Sequence, residues 1–255
     1  MPSHIQVSSP HPLIVKILLT RPDKRNALNV ELLEQLLEVL DNLPVHARAI
    51  LLAGEGAAFC TGMDLNESSD EKLAEKSAFL LAKTFTRLYD SPLITLAAVH
   101  GTTYAGGAGL MLSCDVAIGT PELQIAFPET RRGLVAVQVF TLMQRKLPGN
   151  TIRKLLLLGE TIDASEAHQL DLISSVYPLQ DLENQSIRIL LHALQGGPEA
   201  LRKTKQLLNG DSIEEELQKA AKYQLEVRGT SEAHEGAKAF LEKRAPNWIA
   251  AEPVE

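Results

Sequence analysis

The sequence predicts a mixed α/β fold with an α-helical C-terminal region. Three observations lead there. Short apolar runs with strand character recur at 13–20, 48–54 and 93–101. Segments with apolar residues at helical spacing separate them, at 29–43 and 66–90. From about Arg131 the pattern turns helical almost to the end. Strands alternating with helices make a layered α/β core, and the run of helices extends it.

The first strand, "LIVKILLT" (13–20), ends in the polar turn "RPDKRNA". In "NVELLEQLLEVLDNL" (29–43) Asn29 is placed as the N-cap, an amide oxygen able to accept from a first-turn N–H. "RAILLAG" (48–54) is a short buried strand, with Gly54 and Gly56 at its end. The segment 66–90 is a long amphipathic helix, and "LITLAAVHG" (93–101) is apolar enough to be covered on both faces. "CDVAIGT" and "LQIAF" continue the strands. A break at "GGP" (196–198) divides a core, 1–195, from a helical region, 196–255, with runs at 199–209, 212–228 and 231–243.

With 45% hydrophobic and 22% charged residues among 255, the chain can bury a substantial core. A net charge of −7 argues against a nucleic-acid partner, which selects a basic face. Two cysteines, Cys60 and Cys114, are too few for a disulfide framework and match no metal-ligand spacing, so no metal is expected. The N-terminus shows no secretory pattern and no run has the length of a membrane span, so a cytoplasmic protein without membrane partners is the expectation.

Two glycine-rich loops follow predicted strands, "GEGAAFCTGMDL" (54–65) and "GTTYAGGAGL" (101–110). Neither has the G-x-G-x-x-G spacing after a first strand, and no G-x-x-x-x-G-K-[ST] occurs, which sets aside dinucleotide and phosphate-loop binding. Two readings stay open. Gly106 and Gly107 permit close packing, or they start a helix whose unpaired N–H groups, with one from "TGMD", serve a developing oxyanion. Glu129 in "FPETRRG" is likewise either an ordinary first-turn acid behind Pro128 or an acid/base. Apolar segments on both sides would raise its pKa toward a working value. His100 reads as a packed histidine and Asp64 as a loop-ordering carboxylate.

Five motifs in order, "RPDKRNALN", "GAAFCTGMDL", "AAVHGTTYAGGAGLMLSCDVAIGTPELQIAFPETRRGL", "LLLLGETIDASEAHQLDLISSVYP" and "FLEKRAPNW", span nearly the whole chain. Together they resemble the crotonase superfamily, the enoyl-CoA hydratase/isomerase family. The resemblance implies a spiral of β-β-α units with C-terminal helices that build trimers, often paired into hexamers. It implies an acyl-CoA thioester as substrate and no separate cofactor, coenzyme A being part of the substrate. The thioester enolate would be held by the backbone N–H groups of Met63 and Gly106, with Glu129 as acid/base. Coenzyme A would run past Lys24, Arg25, Ala27 and Leu28, with Lys243 and Arg244 as a phosphate contact. Asp64, Leu65, Tyr104 and Gly107 would line the site. The helix at 66–90 and "VAVQVF" would build the acyl pocket.

One departure matters. Two-glutamate hydratases of the family carry their first acid where this chain has Gly109, so only the position of Glu129 is kept. A single carboxylate suits a proton shuttle, as in Δ3,Δ2-enoyl-CoA isomerases. "FPETRRGLVAVQV", including Gln138, is also similar to hydratases of branched glutaconyl-type esters. Arg131 and Arg132 suit a carboxylated acyl chain, or else coenzyme A or solvent. A relative that binds acyl-CoA without turnover is the alternative from another class, and retention of Glu129 counts against it.

Overall fold

The computed structural model describes residues 3–64, 67 and 70–249. Its main sheet has six strands in the order β1-β2-β3-β4-β6-β9. β1 (Ile5–His11) is antiparallel to β2 (Ile14–Leu19), and the others run parallel: β3 (Ala49–Gly54), β4 (Ile94–Val99), β6 (Val116–Gly119) and β9 (Ser175–Val176). A smaller sheet holds β5 (Thr102–Tyr104), β7 (Gln124–Ala126) and β8 (Ile162–Asp163). The helices are α1 (Val30–Asp41), α2 (Glu71–Tyr89), α3 (Gly106–Ser113), α4 (Val137–Lys146), α5 (Gly149–Leu158), α6 (Ala164–Gln169), α7 (Leu179–Ala193), α8 (Pro198–Asn209), α9 (Glu214–Arg228) and α10 (Ser231–Leu241).

The parallel strands are apolar on both faces because both faces are covered. Val15, Ile17, Ile50, Leu52, Ala97 and Val99 point into the main core with α1, α2 and α3. Their neighbours Ile14, Ala49, Leu51, Leu96 and Ala98 point the other way, onto Leu182, Leu190 and Leu194 of the α7 region. Ile213, Leu217 and Ala221 of the C-terminal helical region belong to the main core, so these helices return to the body of the chain. Asn29 caps α1, its side chain accepting from the Leu32 N–H at 3.0 Å.

Four strands lie outside the expected set, among them β5, which forms within the glycine-rich loop 101–110 by pairing with β7. β1 shows solvent a nearly polar face and contains Pro10, as an edge strand tolerates. β8 and β9 have two residues each, too short to carry a period of their own. α2 begins at Glu71 behind the Asp70 cap, whose side chain accepts from the Lys72 and Leu73 N–H groups. The expected first turn from Asn66 lies in part outside the described residues.

Candidate active site

Three loops leave the C-terminal ends of adjacent parallel strands, the place where such sheets bind ligands. The turn after β2 carries "RPDKRNAL", the loop after β3 carries "FCTGMD", and the loop after β4 leads through β5 into α3. Backbone hydrogen bonds lock them together. Leu28 N–H donates to Gly62 O at 2.8 Å and Asp64 N–H to Leu28 O at 2.8 Å. Tyr104 N–H donates to Cys60 O at 3.0 Å.

This pairing turns the Met63 N–H away from Leu28, and no described residue accepts from it. The same holds for Gly106, Gly107 and Ala108, which open α3 and have no intrahelical acceptor. The two loops abut. A Cβ on Gly62 (φ +88°) would come within 2.9 Å of Ala105 Cβ and 3.3 Å of Gly106 N. A Cβ on Gly107 would lie 2.1 Å from Cys60 O. The glycines therefore allow the two loops to pack closely, and the same backbone leaves unbonded amides where the loops face each other. Ala105 pays for this with φ 51°, unusual for a residue with a side chain.

Glu129 arrives through the second sheet. Tyr104 of β5 pairs with Ala126 of β7, and Ala105 N–H donates to Ala126 O at 2.9 Å. Three residues beyond Ala126, Glu129 opens a 3-10 turn, Glu129–Arg132, in the segment that leaves β7 past the Ala105 N-cap of α3. Its Oε2 is shut off from solvent and has no hydrogen-bond partner. Burial pushes the carboxyl up to about 7, opposed by its own backbone N–H and by the Arg132 charge. The first-turn position does not make it a solvated capping acid.

Polar residues that do not stand out in the sequence brace the loops. Asn26 is buried at φ 53°, its amide donating to Glu55 O (2.9 Å) and Ala58 O (2.8 Å) while its oxygen accepts from the Arg21 N–H (2.8 Å). Arg21 joins Asp64 at 3.1 Å in a largely buried ion pair and donates to Ala27 O, so Asp64 orders the loop as expected. The only sequence signal for either was their place in a polar turn.

The remaining expected residues fall as follows. Lys24, Arg25 and Lys243 are exposed, Ala27 is half-buried and Leu28 is fully buried. Arg25 lies close enough to Arg132 for its charge to act there, and Arg132 stacks 4.2 Å over the Phe240 ring, three residues before Lys243. Arg244 is held by Glu235 and Glu242. The Tyr104 hydroxyl meets Thr161 Oγ1 at 3.3 Å, and Arg131 donates to Leu158 O. Leu65 lies outside the described residues. His100 is packed, its Nε2 bonded to Gly56 O at 2.9 Å.

α2 lies along the first turns of α3. A Cβ on Gly106 would meet Leu81 Cδ2 at 3.6 Å, and one on Gly109 would strike the Phe85 ring, 2.3 Å from Cζ. Gln138 of α4 reaches the same helix and donates to Ala78 O at 3.2 Å, which brings together the two segments expected to form the acyl pocket. A cavity of about 450 Å³ at the C-terminal end of α2 is lined by none of the expected site residues. No group of three or more His, Cys, Asp or Glu that could hold a metal occurs among the described residues. No described helix is long and apolar enough to cross a membrane.

The family model described as "Enoyl-CoA hydratase/isomerase" matches residues 11–251. This chain belongs to the enoyl-CoA hydratase/isomerase family. A relative from Thermus thermophilus that carries an enoyl-CoA hydratase name is 34% identical over 96% of this chain and 100% of its own. The 2,3-dehydroadipyl-CoA hydratase of Escherichia coli is 30% identical over 92% and 94%. The crystal structure of an enoyl-CoA hydratase from Mycobacterium avium superposes with a TM-score of 0.87 at 28% identity, covering 98% and 100%. The mixed α/β fold with β-β-α units and helical C-terminal region is the fold of this enoyl-CoA hydratase/isomerase family.

Proposed function

We propose that this enzyme processes acyl-CoA thioesters through a thioester enolate, held by the Met63 and Gly106 amides, with Glu129 as its single acid/base. The observation that carries the reading is the Glu129 carboxyl: its Oε2 is shut off from solvent and without a partner, it is raised to about 7, and it follows by three residues the Ala126 carbonyl that accepts from the Ala105 N–H at the start of α3. At neutral pH such a group is divided between its ionised and protonated forms, so it can take a proton from carbon, while the enolate is stabilised, and give it back. Charge gathering on the thioester oxygen meets preoriented N–H groups at a helix start, each such donor being worth about 2.7–4 kcal/mol.

Arg25 and Lys243, both exposed, and Arg132, on which the Arg25 charge acts, support a coenzyme A path along one side of the site. The exposed side chains of Leu157, Leu158, Leu179, Leu207 and Leu208 support assembly into a trimer or hexamer. Both cysteines are buried and free, with thiols pushed up to about 12 by burial, which suits the cytoplasm.

Isomerisation rather than hydration is a second reading, favoured by the Phe85 ring filling the space at Gly109. The assay follows ultraviolet absorbance with a 3-enoyl-CoA and with a 2-enoyl-CoA. Rising conjugated-enoyl absorbance from the first means isomerisation, and falling absorbance from the second means hydration. No change with either, despite coenzyme A thioester binding, overturns the catalytic reading. Gly109→Glu adds no hydration and lowers stability, because Phe85 blocks its first carbon; Gly109→Ala alone costs about 1–3 kcal/mol in denaturant unfolding.

A further inference from the structure

The turn that carries Glu129 is gripped by the C-terminal helix at two glycines. A Cβ on Gly236 of α10 would lie 2.1 Å from Arg132 O and 2.3 Å from Arg132 C. A Cβ on Gly133, which ends the turn at φ +65°, would lie 2.5 Å from Glu232 O. Backbone therefore lies on backbone in both directions, with no side chain between to absorb a shift. The Arg132 guanidinium over the Phe240 ring adds a third point of attachment. α10 is itself tied at its end: Arg244 grips both Glu235 carboxylate oxygens, at 2.6 and 2.9 Å, and Asn247 N–H donates to one of them at 2.9 Å.

We propose that α10 is a clasp that sets the place of the Glu129 carboxylate, with Gly236 and Phe240 as positioning residues. The inference rests on Glu129 being the acid/base. Arg132 transmits the grip, because its backbone meets Gly236, its side chain meets Phe240, and its charge acts on Glu129 three residues away. The other titratable or charged groups on the elements packed here are Arg131 in the turn, Glu232, His234, Glu235 and Lys238 on α10, and Arg153 and Lys154 on α5. None of these acts on the Glu129 titration as Arg132 does. A displaced turn opens Oε2 to water and lets the carboxyl fall toward its ordinary value.

The test compares Gly236→Ala with Gly149→Ala, a control at a glycine with open space where a Cβ would stand. Gly236→Ala is expected to lower kcat at least tenfold with KM for the enoyl-CoA thioester unchanged. It is also expected to move the Glu129 titration, followed by carbon-13 NMR of labelled glutamate in the free protein, down from about 7. Gly149→Ala moves neither. If Gly236→Ala does not fold, Phe240→Leu keeps an apolar side chain, removes the ring, and is expected to give a smaller change of the same kind. A folded variant with the wild-type kcat and the wild-type titration overturns the clasp. Wild-type protein that turns over no enoyl-CoA thioester overturns the acid/base reading instead, and the NMR titration still decides the clasp.

Discussion

Glu129→Gln is expected to lower kcat by about 10²–10⁴-fold while leaving binding of the coenzyme A thioester in place, since an isosteric amide fills the same space but cannot move a proton. Retention of wild-type turnover would remove Glu129 from the mechanism. The wild-type pH profile follows from the same group. A base must be ionised to take a proton, so kcat/KM rises with pH through about 7.

Stability moves the opposite way. The carboxyl titrates at about 7 folded against 4.5 for an ordinary glutamate, so the folded state binds the proton more tightly. Below 4.5 both states are protonated and the shift contributes nothing. Between 4.5 and about 7 stability falls, by roughly 3 kcal/mol in all, and then levels. Glu129→Gln lacks this fall. Denaturant unfolding of both proteins at pH 5 and pH 8 checks it, the variant gaining on the wild type at the higher pH.

Asp115→Ala is expected to cost about 3 kcal/mol, measured by denaturant unfolding at pH 7. Asp115 Oδ2 accepts from the Thr95 N–H (2.8 Å), the Thr95 hydroxyl (3.0 Å) and the Lys205 ammonium (2.8 Å), which joins α8 to β4 and β6. Lys205 is 6% exposed and its other acceptor is Leu93 O at 3.0 Å. Truncating the carboxylate thus strands a buried cation and leaves the Thr95 N–H unpaired. Lys205→Met costs less, about 1 kcal/mol, because Asp115 keeps both Thr95 donors and some contact with water. Equal losses for the two variants would mean that packing of α8, and not the charge, dominates.

Much of the fold was legible because it is periodic or local. The two-face apolar runs marked β2, β3 and β4, the helical spacing marked α1 and most of α2, and Asn29 marked a cap, each from residues within a few positions of one another. Edge and two-residue strands were not legible, since β1 buries little and β8 and β9 exist through their partners. Order along the chain also exposed the two glycine loops, the Glu129 segment and the glycine at position 109. The Arg21–Asp64 pair, by contrast, joins residues 43 positions apart, and Asn26 reaches Ala58 across 32. No local pattern encodes such pairings.

The chemical meaning of single residues depended most on what lies across from them. "FPETRRG" serves equally as a helix start or as an acid/base segment, and burial among distant elements separates the two, leaving Oε2 alone and the carboxyl near 7. "AGGAGL" shows that no acid stands at Gly109, while α2 supplies the reason by placing the Phe85 ring where any side chain there would begin. Residue type and spacing thus set what chemistry was available. The proton affinity of Glu129 and the space at Gly109 came from desolvation and steric contact, which arise when segments far apart in the chain pack together.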